Sequence, residues 1–321
     1  MNGTIGSRIL NRSIVKHIPG CGMNKAVMGM DYSIVSEDEG NGSILVAATG
    51  YSSQSVMAII RAVNNLAMSG AAAKRLMINI VAGTDVAEQQ LRDAMKIAVE
   101  YASSKKLIII GGNTVCQGEG SGISFNVTAY GWVKKYPEHR FKPGDKVIVY
   151  GNAGQYGASV ICRKKRNKLL ERFAEPYLKC YEFTEDMADI SRVGIEAIKL
   201  GASLVHDVSF GGIYRSLYEI SELSGYGMDI IHEGIPIKQS TIELCEFFNL
   251  NPYMLLGTGG AVIVSSPDKL PEIEEYLSST GVDYGLAGEL TKDRAMTVRS
   301  TVYEMRRSLT MYEIDEIYKT L

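Results

Sequence analysis

The chain has 321 residues, of which 45% are hydrophobic and 22% charged, and its formal net charge is −2. This length exceeds the usual size of one domain, so we expect two. The balanced charge excludes a global basic field of the kind that attracts nucleic acid or an acidic membrane. Five widely spaced cysteines without a C-x-x-C pair argue against a disulfide scaffold or a zinc cluster. Because we find neither a signal-peptide core nor a bilayer-spanning apolar run, we expect a cytoplasmic protein without a nucleic-acid or membrane partner.

The first candidate catalytic groups in chain order are Cys21, Lys25 and Asp31. Cys21 offers a thiol nucleophile and Lys25 a contact for phosphate, although such a pair also occurs in ordinary exposed loops. Asp31 stands at the mouth of a predicted strand over 29–35, where a carboxylate can ligate a metal cation.

A helix predicted over 53–70 is the central element of the N-terminal half. Its apolar residues recur at i, i+3 and i+4, which indicates one buried face. Asn64 and Asn65 interrupt its middle, and their amides compete for backbone partners. The two residues could face solvent on a core helix, or they could face a ligand.

A second small-residue segment follows a predicted buried strand over 107–110. It is the turn Gly111-Gly112-Asn113-Thr114. Such a turn lets a ligand approach the backbone, or it allows a tight change of direction.

A charged, proline-flanked stretch over 134–143 separates the two halves. We place an N-terminal domain at 1–137, a linker at 138–145 and a C-terminal domain at 146–321. Strands and helices alternate in both halves without a strict βαβ rhythm, which predicts an α+β fold.

In the C-terminal half, a predicted strand over 203–206 leads through Asp207, Gly211 and Gly212 into a helix. Asp207 could ligate a cation or cap the helix, and the glycines could contact phosphate or permit a tight turn. The four histidines have no metal-site spacing and are expected at the surface or at strand ends. Further predicted elements are a helix over 186–200, an edge strand over 284–290 and a polar helix over 308–321.

Several segments together resemble the aminoimidazole ribonucleotide (AIR) synthetase superfamily, which includes selenophosphate synthetase, thiamine-monophosphate kinase and the carbamoyl dehydratase of hydrogenase maturation. The similarity is greatest to the last, HypE-like family and covers most of residues 25–290. In the C-terminal half it is carried by FKPGDKVIVYGNAGQYGAS (141–159), HDVSFGGIYRSLYEISELSGYGMDI (206–230) and IPIKQSTIELCEFFNLNPYMLL (235–256). In the N-terminal half it is carried by RAVNNLAMSGA (61–71) and IIGGNTV (109–115), which correspond to the family's two nucleotide-site motifs.

The resemblance implies an N-terminal α/β domain whose sheet pairs with a second subunit to build a barrel, and a C-terminal α/β domain beside it. ATP would lie between the domains, its phosphates held by glycine-turn amides and by Mg²⁺ on aspartates. The superfamily's shared reaction transfers the γ-phosphoryl group to an oxygen or selenium atom. The implied partners are a second copy of the chain, a nucleotide or related phosphate ligand, and a maturation partner protein. The implied nucleotide-site residues are Asn64, Asn65, Gly111, Gly112, Asn113, Thr114, Asp207, Gly211 and Gly212.

The acids that the family uses are sparse in this chain. Of the first acidic pair only Asp31 is present, and Thr49-Gly50-Tyr51 stands where an aspartate is expected. Asn64-Asn65 replaces the family's Asn-Asp, and Gly112-Asn113-Thr114 replaces its Gly-Asp-Thr. Each lost carboxylate removes attraction of about 4 kcal/mol at about 4 Å and an effective dielectric of about 20. We therefore expect weak binding of ATP and Mg²⁺.

Two further departures concern the reaction. The dehydratases carry their substrate group on a C-terminal cysteine, whereas the last cysteine here is Cys245, and Phe210 replaces the arginine of the Asp-x-Thr-Arg-Gly-Gly motif. Three interpretations stay open. The first is a hydrogenase-maturation-like protein that binds nucleotide with altered catalysis, and the second is a non-catalytic homodimeric scaffold or regulator. The third is a selenophosphate-synthetase-like or small-molecule kinase that uses Cys21 and Lys25. An active enzyme would be an ATP-dependent synthetase, dehydratase or kinase.

Overall fold

The computed structural model describes residues 13, 30–36, 43–135, 139–310 and 314–321. Over these residues the protein has helices and two mixed β-sheets, which confirms the predicted α+β fold. No helix in these ranges combines the length and the apolar character that a membrane crossing requires. The domain limits at 137 and 146 stay a prediction.

The first sheet is formed by the N-terminal half. Its strands in the described ranges are β1 (Ser33–Ser36), β2 (Ile44–Ser52), β3 (Ala72–Ala82), β4 (Ile108–Gly111), β5 (Thr114–Cys116) and β6 (Ile123–Val133). They lie in the order β1-β2-β6-β3-β4, with β5 paired to β3. β3 runs parallel to β4 and β5 but antiparallel to β6.

The second sheet is formed by the C-terminal half. Its strands in the described ranges are β7 (Lys146–Tyr150), β8 (Leu204–Val208), β9 (Gly227–Ile231), β10 (Gly260–Ser265), β11 (Tyr284–Thr291), β12 (Met296–Ser300) and β13 (Met305–Ser308). They lie in the order β13-β12-β9-β11-β7-β10-β8. Every residue of β8 and β10 is buried.

The α-helices of the described ranges are α1 (Ser55–Ala67), α2 (Glu88–Ser104), α3 (Gln155–Lys164), α4 (Arg166–Leu169), α5 (Glu185–Ala188), α6 (Ser191–Lys199), α7 (Gly212–Ser224), α8 (Gln239–Phe248) and α9 (Leu270–Ser279). Short 3-10 turns occupy Glu175–Tyr181, His232–Gly234, Pro252–Met254 and Glu316–Lys319. The predicted helix over 53–70 is confirmed as α1.

Helix α1 packs between the first sheet and the C-terminal half. It lies so close to β2 that a Cβ atom at Gly50 would come within 2.3 Å of the Ala62 amide nitrogen. At its other end Met68 contacts α6 at Gly194, where a Cβ atom would lie 2.7 Å from the Met68 Cε. One continuous hydrophobic core contains Ile59 of α1 together with residues of both sheets, such as Val127 and Ile263.

Asn64 explains why the helix predicted over 186–200 is divided. Its side-chain Nδ2 donates to the Ala188 carbonyl (2.8 Å), and its Oδ1 accepts from the Ile190 amide (3.0 Å). These backbone groups therefore bond to α1 at the point where α5 ends and α6 has not yet begun. The prediction of one uninterrupted helix was wrong because this contact depends on tertiary structure.

Three other predicted elements differ from the structure. The predicted edge strand over 284–290 is β11, which lies inside its sheet between β9 and β7. In the described part of 308–321, the only helical segment is the 3-10 turn Glu316–Lys319. The predicted buried strand over 107–110 is β4, which lies at a sheet edge, and its residues Ile108 and Ile110 are 61% and 52% exposed.

Replacement of Asn64 by alanine is expected to lower the free energy of unfolding by about 2–4 kcal/mol, because it leaves two buried backbone groups unpaired. Urea unfolding of Asn64→Ala and of the neighbouring variant Asn65→Ala measures this difference. Asn65 donates one hydrogen bond to the Thr49 carbonyl near the surface, so its loss should cost about 1 kcal/mol or less. Equal destabilisation of the two variants would contradict the structural role of Asn64.

Candidate functional site

Asp31 and Asp207 meet where the chain leading into β1 touches β8. The Asp207 amide donates a hydrogen bond to Oδ2 of Asp31 (3.2 Å), although the two residues lie 176 positions apart. The His206 Nδ1 atom lies 3.5 Å from the same Asp31 oxygen. One ligand atom from each of the three side chains falls within 4.8 Å of the others. The structure therefore brings the predicted acids Asp31 and Asp207 together.

A second layer of charge lies behind this pair on α7. The His206 Nε2 atom is 3.4 Å from Oε2 of Glu219. Arg215 donates from its Nε atom to Oε1 of Glu219 (2.9 Å). Acidic and basic side chains thus alternate in the order Asp31, His206, Glu219 and Arg215. Most of these four side chains are buried.

Burial controls the protonation of these groups. It raises the pKa of Asp31 well above its ordinary value, and the adjacent imidazole only partly opposes this shift. Burial also raises the pKa of Asp207. Burial alone would lower the pKa of His206, but the carboxylates of Asp31, Glu219 and Asp207 raise it to about 10. An imidazolium at His206 therefore compensates the buried acids from within the fold.

His206 is a correction to the sequence interpretation, which placed the histidines at the surface or at strand ends. It is only 4% exposed and lies inside β8. Sequence spacing missed it because its acidic neighbours Asp31 and Glu219 come from distant parts of the chain. The available signal was a histidine beside an aspartate within an otherwise apolar strand.

The predicted phosphate turn at the start of α7 is formed, and a side chain of the same chain contacts it. Gly211 and Gly212 have φ angles of 84° and 65°, which favour glycine. The Gly211 amide donates to Oδ2 of Asp315 (2.6 Å). Oδ1 of Asp315 accepts from the amides of Leu256 (3.2 Å) and Ile317 (2.8 Å). A phosphate at the Gly211 amide would therefore replace the Asp315 carboxylate.

The N-terminal candidates occupy other positions. Asn64 is fully used in holding α5 and α6, whereas Oδ1 of Asn65 has no hydrogen-bond partner among the described residues. The turn Gly111–Thr114 lies between β4 and β5, across the first sheet from β1. At Gly112 a Cβ atom would lie 1.7 Å from the Ile78 carbonyl oxygen, so close strand packing requires this glycine. The Asn113 amide donates to Oδ1 of Asn79 (3.0 Å).

The remaining predicted residues are Cys21 and Lys25, which lie outside the described residues. Their proposed catalytic roles stay predictions.

Phe210, which stands where the family has an arginine, packs against the guanidinium of a different residue. The guanidinium carbon of Arg61 lies 5.0 Å from the centre of the Phe210 ring. Arg61 is a site residue that the sequence analysis missed, because its position on α1 reads as part of a helix surface.

The donor set at Asp31 and Asp207 can supply two carboxylate oxygens to a hard cation. Mg²⁺ prefers oxygen ligands and commonly uses one or two carboxylates together with phosphates and water. His206 supplies no oxygen from its side chain, and its Nδ1 atom lies 2.7 Å from the Asp207 carbonyl oxygen. The two acids therefore fit a Mg²⁺ ion that takes its remaining ligands from phosphate and water.

Comparison with known sequences finds one matching family model and several curated relatives. Residues 142–300 match the family described as AIR synthase related protein, C-terminal domain. Carbamoyl dehydratase HypE of Rhodobacter capsulatus is 27% identical over 214 residues, which cover 64% of this chain and 60% of that protein. HypE of Rhizobium leguminosarum bv. viciae is 25% identical over 247 residues, covering 74% of this chain and 68% of that protein. The match thus spans less than two thirds of the first relative.

Solved structures share the fold over nearly the whole chain. A chain of a HypE–HypF complex superimposes with a TM-score of 0.78 at 23% identity, covering 96% of this chain and 100% of that one. HypE in complex with ATP gives a TM-score of 0.71 at 17% identity, with coverages of 98% and 97%. The family match over residues 142–300, the curated relatives and these shared folds agree, and the chain is similar to the AIR synthase-related proteins of the HypE-like kind.

Proposed function

We propose that this chain is a hydrogenase-maturation protein of the HypE-like kind that binds ATP between its two sheets and holds Mg²⁺ only weakly. The meeting of Asp31 and Asp207 carries the proposal, because it joins two acids from distant segments at a glycine turn. Support comes from the similar structures of HypE in complex with ATP and of AaThiL complexed with AMPPCP and TMP. The predicted cytoplasmic location is part of this proposal.

Asp31 and Asp207 would hold the metal, and the amides of Gly211 and Gly212 would face the phosphates. When bound, Mg²⁺ would neutralise phosphate charge. Residues 40–84 and 101–118, which include the segments similar to the family's two nucleotide-site motifs, contain no Asp or Glu that could add to this pair. His206 also compensates both carboxylates, which reduces their attraction for a divalent cation. Weak metal binding follows from both features.

The partners would be a second copy of this chain and a maturation protein. On strands of the first sheet, the apolar side chains of Val81 and Trp132 alternate with core residues and reach the surface. Val115, on the exposed strand β5, pairs with Val81. A sheet of a second subunit could cover this face. A maturation partner is supported by the likeness to a chain of the HypE–HypF complex.

Calorimetric titration with ATP tests the nucleotide site. We expect a dissociation constant of about 0.1–1 mM with Mg²⁺, and weaker binding when EDTA removes the metal. Asp207→Asn should weaken Mg-ATP binding about tenfold, since one of two metal-ligating charges is lost. The exposed variant Asp268→Asn, which changes the net charge equally, should bind as the parent does. Absence of binding at millimolar ATP would refute the proposal.

Asp315→Asn tests whether the Asp315 carboxylate competes with phosphate at Gly211. Removing its negative charge should tighten ATP binding about threefold or more, because a phosphate no longer displaces an anion. The same titration is run on Asp268→Asn as the charge-matched control. Unchanged or weaker ATP binding by Asp315→Asn alone would show that nucleotide phosphates do not reach the Gly211 amide.

Sedimentation velocity tests the proposed dimer. Val81→Asp puts a charge on the outer face of the first sheet and should shift the protein from dimer to monomer, because burying an unpaired carboxylate is costly. Val302→Asp, at an exposed site of the second half, should leave the dimer intact. A monomeric parent protein, or dimers of equal strength in both variants, would contradict this assignment.

A further inference from the structure

Arg61 is a buried cation whose guanidinium hydrogen-bonds only to neutral groups in the part of the chain that the structure describes. The residue is 7% exposed. Its Nη1 atom donates to the Tyr51 carbonyl (2.8 Å), and its Nη2 atom donates to the Thr258 hydroxyl (3.1 Å). Among the described residues, Arg61 forms no ion pair with a carboxylate within 4.0 Å.

The Nε–H group of Arg61 is also buried, and it has no hydrogen-bond partner in the part of the chain that the structure describes. An arginine that is buried for structural reasons normally pairs with a carboxylate, because taking an uncompensated charge out of water is costly. Burial lowers the pKa of Arg61 from its ordinary value, which reflects this cost. Asp207 and Asp315 oppose this lowering from a distance, but among the described residues no carboxylate contacts the guanidinium. The buried charge and the free Nε–H donor can therefore take an anionic ligand.

Arg61 lines a cleft of about 380 Å³, here called the Arg61 cleft. Its aromatic walls are Tyr51, Tyr156, Phe210 and Tyr318. The Phe210 and Tyr318 rings are stacked at 6.3 Å between centres, 13° from parallel. Flat aromatic walls of this kind can bury a planar ring of a ligand.

Further positive charge faces the same cleft. Arg163 and Lys164, at the end of α3, line it and are exposed. Ser53 and Gln54, at the start of α1, also line it, and α1 begins without a side-chain cap. A helix start presents unpaired N–H groups and a positive dipole end, which favour an anion. Three cations and this helix start favour a doubly charged phosphate over a singly charged carboxylate.

We propose that the Arg61 cleft binds a small organic phosphate, with its phosphoryl group held by Arg61, Arg163 and Lys164 at the start of α1. The planar part of the ligand lies against the aromatic walls. This site needs no metal, whereas the proposed nucleotide site depends on Asp31 and Asp207. The two proposals can therefore fail separately.

Calorimetry with phenyl phosphate, inorganic phosphate and benzoate tests the ligand class. The full chain is titrated in EDTA, with ionic strength matched by potassium chloride. Phenyl phosphate should bind about threefold or more tighter than inorganic phosphate, since its ring is buried, and about tenfold tighter than benzoate, since its charge is larger. Benzoate binding as tightly as phenyl phosphate would overturn the assignment of a phosphate ligand.

Variants then assign the binding to Arg61. Arg61→Met should weaken phenyl phosphate binding about tenfold or more, and the paired change Arg163→Gln with Lys164→Gln about threefold or more. Arg92→Met is the control, because Arg92 is exposed on α2 and pairs with Glu88. Equal affinity in the parent, Arg61→Met and the double variant would overturn the proposal.

Thermal unfolding separates this role from a structural one. Methionine keeps the apolar stem and needs no counter-ion, so Arg61→Met should melt within about 3 °C of the parent. If the variant unfolds instead, the double variant at the exposed rim decides the question through its phenyl phosphate affinity. The titrations in EDTA keep this result separate from the nucleotide site, which depends on a metal held by Asp31 and Asp207.

Discussion

The hydrogen bond from the Asp207 amide to Asp31 ties the segment before the first sheet to β8 of the second sheet. It places two acids in a poorly solvated position, which is tolerated because His206 supplies a positive charge from the same strand. Glu219 and Arg215 continue the alternation of charges on α7. The junction of the two halves therefore depends on an internally compensated cluster, and the same cluster is the candidate metal site.

Charge compensation distinguishes the site at Asp31 and Asp207 from a site built around several free acids. The carboxylates are balanced by His206, the turn at Gly211 is contacted by Asp315, and Arg61 packs on Phe210. In each of these contacts, a side chain of the protein occupies a position that a ligand or a metal ion could otherwise take. The site thus keeps its architecture while offering less negative charge to a divalent cation. It offers positive charge instead at Arg61, whose guanidinium packs over the Phe210 ring.

The sequence predicted those features that depend on local pattern. The amphipathic helix α1, the α+β class and the glycine turn at Gly211 follow from periodicity and turn chemistry, and the family follows from several extended segments. The break after α5 was missed because it depends on Asn64, and His206 was missed because its acids lie far away in sequence. Pattern alone cannot show that Arg61 is buried with no carboxylate in contact among the described residues, since that property arises from packing.

The most direct test of the account is a crystal structure of the protein with a nonhydrolysable ATP analogue and Mg²⁺. We expect phosphates beside the turn at Gly211, a Mg²⁺ ion on both Asp31 and Asp207, and an Asp315 carboxylate that has left the Gly211 amide. An analogue bound elsewhere, with Asp31 and Asp207 still joined only to His206 and to each other, would contradict the claim that this compensated cluster is the phosphate end of the site.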